Sequence, residues 1–206
     1  MHDVLKSTLL DRVGWIEHGF GTRLASISQN EMASLEQIHS SIPVVADRTG
    51  SAGEGDAVIT SVPGLAVSIR TADCLPILAV DTHSKRIAAI HAGWRGTAAR
   101  IVVETLEKMG SDPRHLYIAI GPGIGACCYE VGEDVARRLG RERAGRIDLA
   151  EANRAQLIEL GLLDSQIDVL NLCTLCDAER FHSYRRDGEQ AGRMISYIRV
   201  RKKVRP

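Results

Sequence analysis

Aromatic residues are scarce in this chain of 206 residues, at 4% of the composition. Surfaces that hold single-stranded nucleic acid by base stacking need such rings, so their scarcity argues against that function. Net charge is missing too, because 26 Lys and Arg residues balance 26 Asp and Glu residues. No overall field therefore draws nucleic acid or an acidic membrane surface toward the chain. We expect neither of them as a partner.

Long apolar runs are also lacking, and stretches such as Leu75–Val80 are far too short to span a bilayer. The first residues show no basic region followed by an apolar one, so no signal peptide is expected. The five cysteines are odd in number and irregularly spaced, which favours reduced thiols over a disulfide framework. These features predict a cytoplasmic protein.

The chain has no internal repeat, low-complexity segment or Pro/Gly/Ser-rich linker. Residues 1–206 are therefore expected to form one domain, with enough apolar residues to build a core without disulfides. The segment Arg199–Arg205 is locally basic. We interpret it as a solvated tail in preference to an RNA-binding arm.

Short apolar and β-branched runs predict seven strands. They are Asp56–Thr60, Leu65–Ile69, Ile77–Val80, Ile87–Ile90, Leu116–Ile120, Ile167–Leu170 and Met194–Val200. The first four follow one another closely with turn residues between them, which predicts antiparallel neighbours.

Three predicted helices each end at a glycine. They are Ala98–Met109, Gly132–Leu139 and Ala150–Leu160. Asp148 is a candidate cap for the last of them, with Glu151 at the spacing of a capping box. Together these elements predict a mixed α/β fold with a substantial antiparallel component.

Three short segments combine a metal ligand or nucleophile with the end of a strand: Gln37–Ser40, Thr71–Pro76 and His91–Gly96. Taken singly, His39, Cys74 and His91 are weak signals, since each is as easily a packed or hydrogen-bonded residue. Their spacings match no local zinc motif. Only a fold that brings the three together makes a site of them.

The sequence resembles a known family. Its members are called laccase-domain proteins, multicopper polyphenol oxidase homologues or peptidoglycan editing factors. They are described as zinc-dependent purine nucleoside phosphorylases. Thr71–Pro76 (TADCLP) and His91–Gly96 (HAGWRG) match its two most diagnostic motifs without a gap. The other matching segments are His18–Arg23, Gln37–His39, Gly121–Gly125 with Tyr129–Gly132, and Phe181–Gly188. The chain departs from the family pattern at Ser40, where glycine is usual, in the variable slot at Gly21, and in its short length.

The resemblance implies a layered α/β sandwich with mixed, largely antiparallel sheets, akin to the fold of cysteine hydrolases. It also implies one catalytic zinc ion on His39, Cys74 and His91. Two imidazoles and a thiolate fill three tetrahedral positions and leave the fourth open, as in catalytic zinc sites. Cys74 and His91 are thus expected at the catalytic centre, with Asp73 as the candidate for proton transfer or support of the ligands.

The implied reaction is phosphorolysis of purine nucleosides, namely adenosine, inosine and S-methyl-5'-thioadenosine, with adenosine deamination as a second activity. Phosphate requires a planar donor fork, and the candidate arginines in or beside the motifs are Arg23, Arg70, Arg95 and Arg185. Trp94 is expected to pack beneath the site. The small-molecule partners are a purine nucleoside and phosphate.

Two alternatives remain open. Copper-dependent phenol oxidation fits the older family name, and Cu(II) binds N/S donors more tightly than zinc. However, the seven histidines include no His-x-His pair, on which multicopper clusters usually rely. In the other alternative, Cys74 is the nucleophile of a cysteine hydrolase with a histidine as its base, which edits peptidoglycan precursors.

Two further motifs have simpler interpretations. The pair Cys173 and Cys176 is a CxxC motif, but the adjacent Cys127 and Cys128 have the wrong spacing to complete a zinc site. We interpret the pair as packed thiols, with Cys173 as a candidate pocket residue from the resemblance. Gly121–Gly125 matches no phosphate-binding fingerprint and predicts a tight turn near the site.

Overall fold

A computed structural model describes residues 3–202 and has three layers, in which a sheet packs on a second sheet and helices cover the second sheet. The first sheet contains, in spatial order, β1 (Val4–Leu5), β2 (Ile16–Gly21), β14 (Met194–Val200), β7 (Ala66–Thr71), β3 (Met32–Glu36) and β5 (Gly50–Glu54). The second contains β13 (Ile167–Val169), β10 (Leu116–Ile120), β8 (Leu75–Asp81), β9 (Ile87–Ala92), β6 (Ala57–Thr60) and β4 (Pro43–Val45).

Each large sheet combines three antiparallel pairings with two parallel ones. A small ribbon joins β11 (Glu130–Val131) to β12 (Gly145–Arg146). The helices in the described part of the chain are α1 (Thr8–Asp11), α2 (Trp94–Ala98), α3 (Ile101–Met109), α4 (Glu133–Arg138), α5 (Leu149–Glu159) and α6 (Tyr184–Asp187). Short 3-10 turns cover Pro113–His115, Asp164–Gln166 and Gly188–Gln190. The expected mixed α/β sandwich is confirmed.

The second sheet is the middle layer, which explains its continuous apolar runs. In β8, Ile77 and Ala79 pack with the helix layer, while Leu78 and Val80 pack with the first sheet. Every residue of β8 is buried. A strand with both faces covered needs no polar alternation, and its rigidity fixes the loops at its ends, where the site forms.

The predicted arrangement of the first four strands is wrong in one respect. β6, β8 and β9 are antiparallel neighbours in the second sheet, but β7 lies in the first sheet, between β14 and β3. The short links on either side of β7 therefore cross between layers and do not form hairpins.

The helix predicted over Ala98–Met109 is α3, which begins three residues later, at Ile101, because Arg100 adopts a left-handed conformation with φ of 59°. The short helix α2, which ends at Ala98, was not predicted. The other two predicted helices are confirmed within one residue at each end as α4 and α5. The Asp148 cap is also confirmed, since its carboxylate accepts the Glu151 N–H at 2.9 Å.

The basic segment near the end of the chain is only partly a tail. Arg199 lies in β14, and its guanidinium bonds the Glu17 carboxylate at 2.6 Å. Arg201 donates to the Ile16 carbonyl at 2.7 Å. The remainder, residues 203–206, falls outside the described residues.

Candidate functional site

The structure brings His39, Cys74 and His91 together. One ligand atom from each lies within 4.8 Å of the other two. His39 lies in the loop after β3, Cys74 in the link from β7 to β8, and His91 near the end of β9. The ends of three strands from both sheets thus converge on one point. The imidazole rings of His39 and His91 meet edge to face, with their centres 4.9 Å apart.

Asp56 holds the site from behind, and the sequence analysis did not identify it as a functional residue. Its side chain is fully buried, and one oxygen lies 2.7 Å from His91 Nδ1. The same carboxylate accepts the backbone N–H groups of Ile38, His39 and Ser40, and the Ser40 hydroxyl. One buried anion therefore orients one histidine and anchors the loop of the other. A polar residue at the start of an apolar strand was the only signal.

Local backbone geometry shapes the cluster. His39 and Asp73 have positive φ values of 58° and 86°, which are unfavourable for residues with a Cβ atom and persist only where the surroundings enforce them. Gly93 leaves the necessary space, because a Cβ atom there would lie 2.8 Å from Cys74 Sγ. A larger residue at position 93 would displace that sulfur.

The charges of the cluster are coupled. Burial opposes ionisation of Cys74, but its hydrogen bonds with His39 and His91 outweigh burial and lower the thiol pKa. Burial likewise opposes protonation of His91, yet the hydrogen bond to Asp56 outweighs it and raises the imidazole pKa. Burial also raises the pKa of Asp56, but the His91 and Ser40 contacts bring it down to about 2. Cys74 is therefore held as a thiolate beside the protonated His91 imidazole.

Asp73 is a buried anchor at the edge of the cluster. Its carboxylate accepts the Thr174 hydroxyl at 2.6 Å, the Ser183 hydroxyl at 3.0 Å and the Arg185 backbone N–H at 2.6 Å. Its carbonyl accepts the Ile124 N–H at 2.8 Å. These contacts tie three distant segments to the residue before Cys74 and enforce its strained backbone.

The cluster opens into a cavity of about 830 Å³. The arginines that line it are Arg70, Arg95, Arg185 and Arg193. Of the four predicted arginines, three line this cavity and Arg23 does not. Arg23 donates instead to the Ala178 carbonyl at 2.7 Å. Arg193 was missed, because it lies outside the recognised motifs.

Aromatic rings support three of these arginines. The guanidinium carbons lie 4.5 Å from the ring centre for Arg95 on Trp94, 5.4 Å for Arg185 on Tyr129, and 6.0 Å for Arg193 on Tyr184. Such cation–π contacts orient long side chains that otherwise lie in solvent. Trp94 is half-buried against the core, as expected, and one ring face carries Arg95.

Tyr129 is another lining residue that the sequence analysis did not select. Burial and the nearby Cys74 thiolate raise its pKa to about 12, against the opposing charges of Arg185 and Arg95. The phenol is therefore neutral at physiological pH and surrounded by those three charged groups. Its only signal was its place in the YEVG segment.

The four remaining cysteines gather in a separate cluster. Their sulfur atoms, on Cys127, Cys128, Cys173 and Cys176, all lie within 4.8 Å of one another. The interpretation of Cys173 and Cys176 as a pair of packed thiols is therefore wrong, because two further cysteines lie beside them. The adjacent positions of Cys127 and Cys128 in the sequence had argued against such a cluster. Cys173 does not line the large cavity.

The described residues, 3–202, contain no helix that is both long and apolar enough to cross a membrane.

Comparison with known proteins assigns the family. The chain belongs to the family described as multi-copper polyphenol oxidoreductase laccase, whose model matches residues 20–201. The family and the His/Cys cluster together indicate metal binding.

Individual relatives carry more specific names. A Deinococcus radiodurans protein named purine nucleoside phosphorylase is 43% identical over 183 residues, which cover 82% of this chain and 70% of the relative. A protein named adenosine deaminase RL5, from an unknown prokaryotic organism, is 35% identical over 170 residues, covering 74% of this chain and 65% of the relative. The crystal structure of YlmD from Geobacillus stearothermophilus superposes with a TM-score of 0.88 at 25% identity, covering 98% of this chain and 97% of that one.

Proposed function

We propose that this chain is a zinc-dependent purine nucleoside phosphorylase acting on adenosine and inosine, with S-methyl-5'-thioadenosine as a further substrate. The observation that carries the proposal is the His39–Cys74–His91 cluster in a cavity lined by arginines. The names of relatives, including the 43% identical phosphorylase, support the choice of reaction.

The donor set fits zinc. Two imidazole nitrogens and one thiolate, close enough to share one ion, match three protein ligands with a fourth position open to substrate. His91 presents Nε2 to the cluster, since Nδ1 bonds Asp56, and this carboxylate–histidine contact is typical of metal sites. Zinc bound there supplies a Lewis acid.

The arginines suit inorganic phosphate. We assign Arg95 and Arg185 to it, because both line the cavity beside the His39 cluster and an aromatic ring holds each guanidinium in place. Guanidinium groups bind phosphate oxygens through paired hydrogen bonds. Phosphorolysis needs a phosphate oxygen aligned with C1' of the ribose. The new C–O bond forms there while the N-glycosidic bond breaks and its electron pair leaves with the purine. The arginines hold and align the nucleophile, which is the main contribution a site makes to such a reaction.

Asp73 is assigned as a positioning residue, the second of the two roles considered for it. Each of its oxygens already accepts at least one short hydrogen bond from Thr174, Ser183 or Arg185. An acceptor so occupied is a poor proton carrier. It instead fixes the segment that carries Arg185 against the cluster.

The test is base release by metal-free and reconstituted protein. Chelated protein should be inactive toward inosine, and zinc should restore phosphate-dependent release of hypoxanthine while copper restores less. Cys74→Ser protein should not respond to zinc. Full activity without metal, or no release of base under any metal, would overturn the proposal.

Adenosine deamination is a second candidate activity of the same cavity, favoured by the 35% identity to the protein named adenosine deaminase RL5. Deamination consumes water and releases ammonia without phosphate. Ammonia release from adenosine that is independent of phosphate supports it, and base release alone excludes it.

A cysteine hydrolase is the alternative that one contact favours. Cys74, His91 and the buried Asp56 are arranged as nucleophile, base and orienting carboxylate. The two readings differ in thiol reactivity. A zinc-bound thiolate should alkylate slowly and become reactive after chelation. Rapid alkylation of Cys74 in zinc-loaded protein, in step with loss of activity, would favour the hydrolase.

Multicopper oxidation has less support. Within residues 3–202, the His39 cluster is the one grouping of potential metal ligands that includes histidine. A single copper there lacks the further copper centres of a multicopper enzyme. Phenol oxidation by copper-loaded protein at a rate above that of free copper would revive this alternative.

A further inference from the structure

The cysteine cluster, formed by Cys127, Cys128, Cys173 and Cys176, lies apart from the His39 site. Two of its contacts are especially close, since Cys176 Sγ is 3.5 Å from Cys127 Sγ and 3.3 Å from Cys128 Sγ. Cys127 and Cys176 are exposed, and the other two are half-buried. Four free thiols at one point of the surface are an oxidation hazard unless they serve a purpose.

The fold builds this cluster from two loops that leave the same edge of the second sheet. β10 and β13 are parallel neighbours, so the loops that follow them start side by side. A β-bridge joins Gly123 to Cys173, with the Thr174 N–H donating to the Gly123 carbonyl at 2.9 Å. The backbone contacts align the two loops before any sulfur is involved.

Each loop then turns tightly and presents two sulfurs. In the first, the N–H groups of Cys128 and Tyr129 both donate to the Gly125 carbonyl at 2.9 Å. In the second, the Asp177 N–H donates to the Cys173 carbonyl at 3.2 Å, which closes the CxxC turn. Adjacent cysteines therefore reach the same point as a CxxC pair, which their sequence spacing alone did not predict.

The dimensions suit a single tetrahedral metal ion. Zinc bonded to four sulfurs at about 2.3 Å sets each sulfur about 3.8 Å from the next. The observed separations of 3.3 and 3.5 Å, with every pair inside 4.8 Å, bracket that spacing. An iron–sulfur cluster places two or four irons between its cysteines and needs a wider cage.

The surroundings are also those of a metal thiolate. The Gly125 N–H donates to Cys173 Sγ at 3.3 Å, a contact that stabilises negative charge on sulfur. A Cβ atom on Gly125 would lie 3.2 Å from Cys173 Cβ and 3.3 Å from Cys127 Sγ. Glycine thus gives both loops the close approach that the cluster requires.

We infer that Cys127, Cys128, Cys173 and Cys176 form a second metal site that binds one zinc ion through four thiolates. All four tetrahedral positions are filled by protein, so the site is structural and closed to substrate. The four thiols release their protons when the ion binds. A disulfide fits the cluster less well. Cys176 Sγ lies at similar distances from the sulfurs of Cys127 and Cys128, whereas a disulfide would pair it with only one of them.

The site also braces the wall of the large cavity. Thr174, inside the CxxC turn, donates its hydroxyl to Asp73, and Ile124 and Tyr129 flank the other loop and line the cavity. Zinc at the cysteine cluster would therefore hold the two loops that contact the residue before Cys74. The inference itself stands on the cysteine geometry and is independent of the proposed reaction.

Metal content of the intact chain tests the inference. Protein purified without added metal should contain about two zinc ions per chain by mass spectrometry of the elements. The double variant Cys127→Ser/Cys176→Ser should lose one of them, and Cys74→Ser should lose the other. A double variant that keeps the zinc content of the parent protein overturns the second site, whereas a Cys74→Ser protein that does so overturns only the His39 site.

Thiol protection gives a second readout. In native zinc-loaded Cys74→Ser protein, the four cysteines should resist alkylation and then react together when a chelator is added. Immediate reaction of all four without a chelator would overturn the proposal. A chain mass lower by about two units for each pair of cysteines, restored by a reductant and not by a chelator, would identify a disulfide. That result would also overturn the proposal.

A ligand-preserving substitution guards against misfolding. Cys176→His retains a zinc ligand and should keep the second ion and most of the thermal stability, whereas Cys176→Ser should lose both. Equal stability and metal content in the two variants would contradict metal binding at position 176. A second equivalent that proves to be iron by elemental analysis would overturn the assignment to zinc.

Discussion

Asp56→Asn is the substitution that tests how the His39 site is held. Asp56 is fully buried and bonds His91 Nδ1 at 2.7 Å while accepting the N–H groups that anchor the His39 loop. Asparagine keeps one acceptor oxygen but places an NH2 group where the second oxygen stood. Whichever way the amide turns, either His91 or the His39 loop loses its partner.

The expected losses of zinc affinity and of folding stability follow from these contacts. Loss of a carboxylate behind a metal-bound histidine lowers metal affinity about 10- to 100-fold, or about 1.4–2.7 kcal/mol. Breaking a buried charged contact also destabilises the fold, by roughly 3 kcal/mol. Two separate losses are therefore predicted, one in zinc affinity and one in the free energy of unfolding.

The assay is competition for zinc against a chromogenic chelator, alongside urea denaturation of the metal-free protein. Asp81→Asn is the matched control. Asp81 is also buried and accepts the His83 and Ser84 N–H groups at 2.8 and 3.0 Å, but in the turn between β8 and β9. The control should lose stability and keep its zinc affinity. If Asp56→Asn binds zinc as tightly as the control, the reasoning is refuted.

Three further predictions concern the cavity and the fold. Arg95→Ala and Arg185→Ala should each raise the KM for phosphate at least 10-fold without loss of zinc. Arg23→Ala is the control, since Arg23 lies outside the cavity, and it should leave the KM for phosphate unchanged. Equal effects of all three substitutions would remove the phosphate assignment. Asp73→Asn should retain zinc but lose most of its turnover at subsaturating phosphate, because the KM for phosphate rises as the Arg185 segment loosens. Normal kinetics would remove Asp73 from the site. His18 is buried, and burial together with Lys6 lowers its pKa from 6.5 to about 4, so stability should fall by up to about 3 kcal/mol as the pH drops from about 6.5 to 4. Thermal melts of His18→Gln should show a flatter pH dependence, and an unchanged one would contradict this account.

The sign of the His18 effect follows from proton uptake. The unfolded chain binds a proton at His18 below pH 6.5, while the folded chain resists it until about pH 4. Acidification across this interval therefore favours the unfolded state. The neutral ring is needed because its Nε2 accepts the Ser7 N–H at 2.9 Å.

Local patterns predicted much of the fold. Strands such as β10 and β14 were predicted to the residue, because their apolar and β-branched runs lie between clear turn or helix signals. The layer to which β7 belongs was not predictable, since the short turn-like links on either side of it look the same in the sequence whether they form hairpins or cross between sheets. The break between α2 and α3 was missed because nothing in the side chain of Arg100 indicates a left-handed backbone.

Some residues of the site were likewise predictable from the sequence and others were not. His39, Cys74 and His91 were selected through motif resemblance, because intervals of 35 and 17 residues match no local metal motif. Asp56 was missed because only the pairing of β6 with β9 brings it to His91. The cysteine cluster depends on the parallel pairing of β10 with β13, a contact between distant segments that local pattern does not encode.

The most direct test of the proposed function is the product balance of inosine cleavage, followed by phosphorus and proton NMR with zinc-loaded protein. Phosphorolysis predicts one ribose 1-phosphate formed and one phosphate consumed for each hypoxanthine released, with no cleavage when phosphate is omitted. Free ribose at the same rate with or without phosphate would show hydrolysis and contradict the central claim.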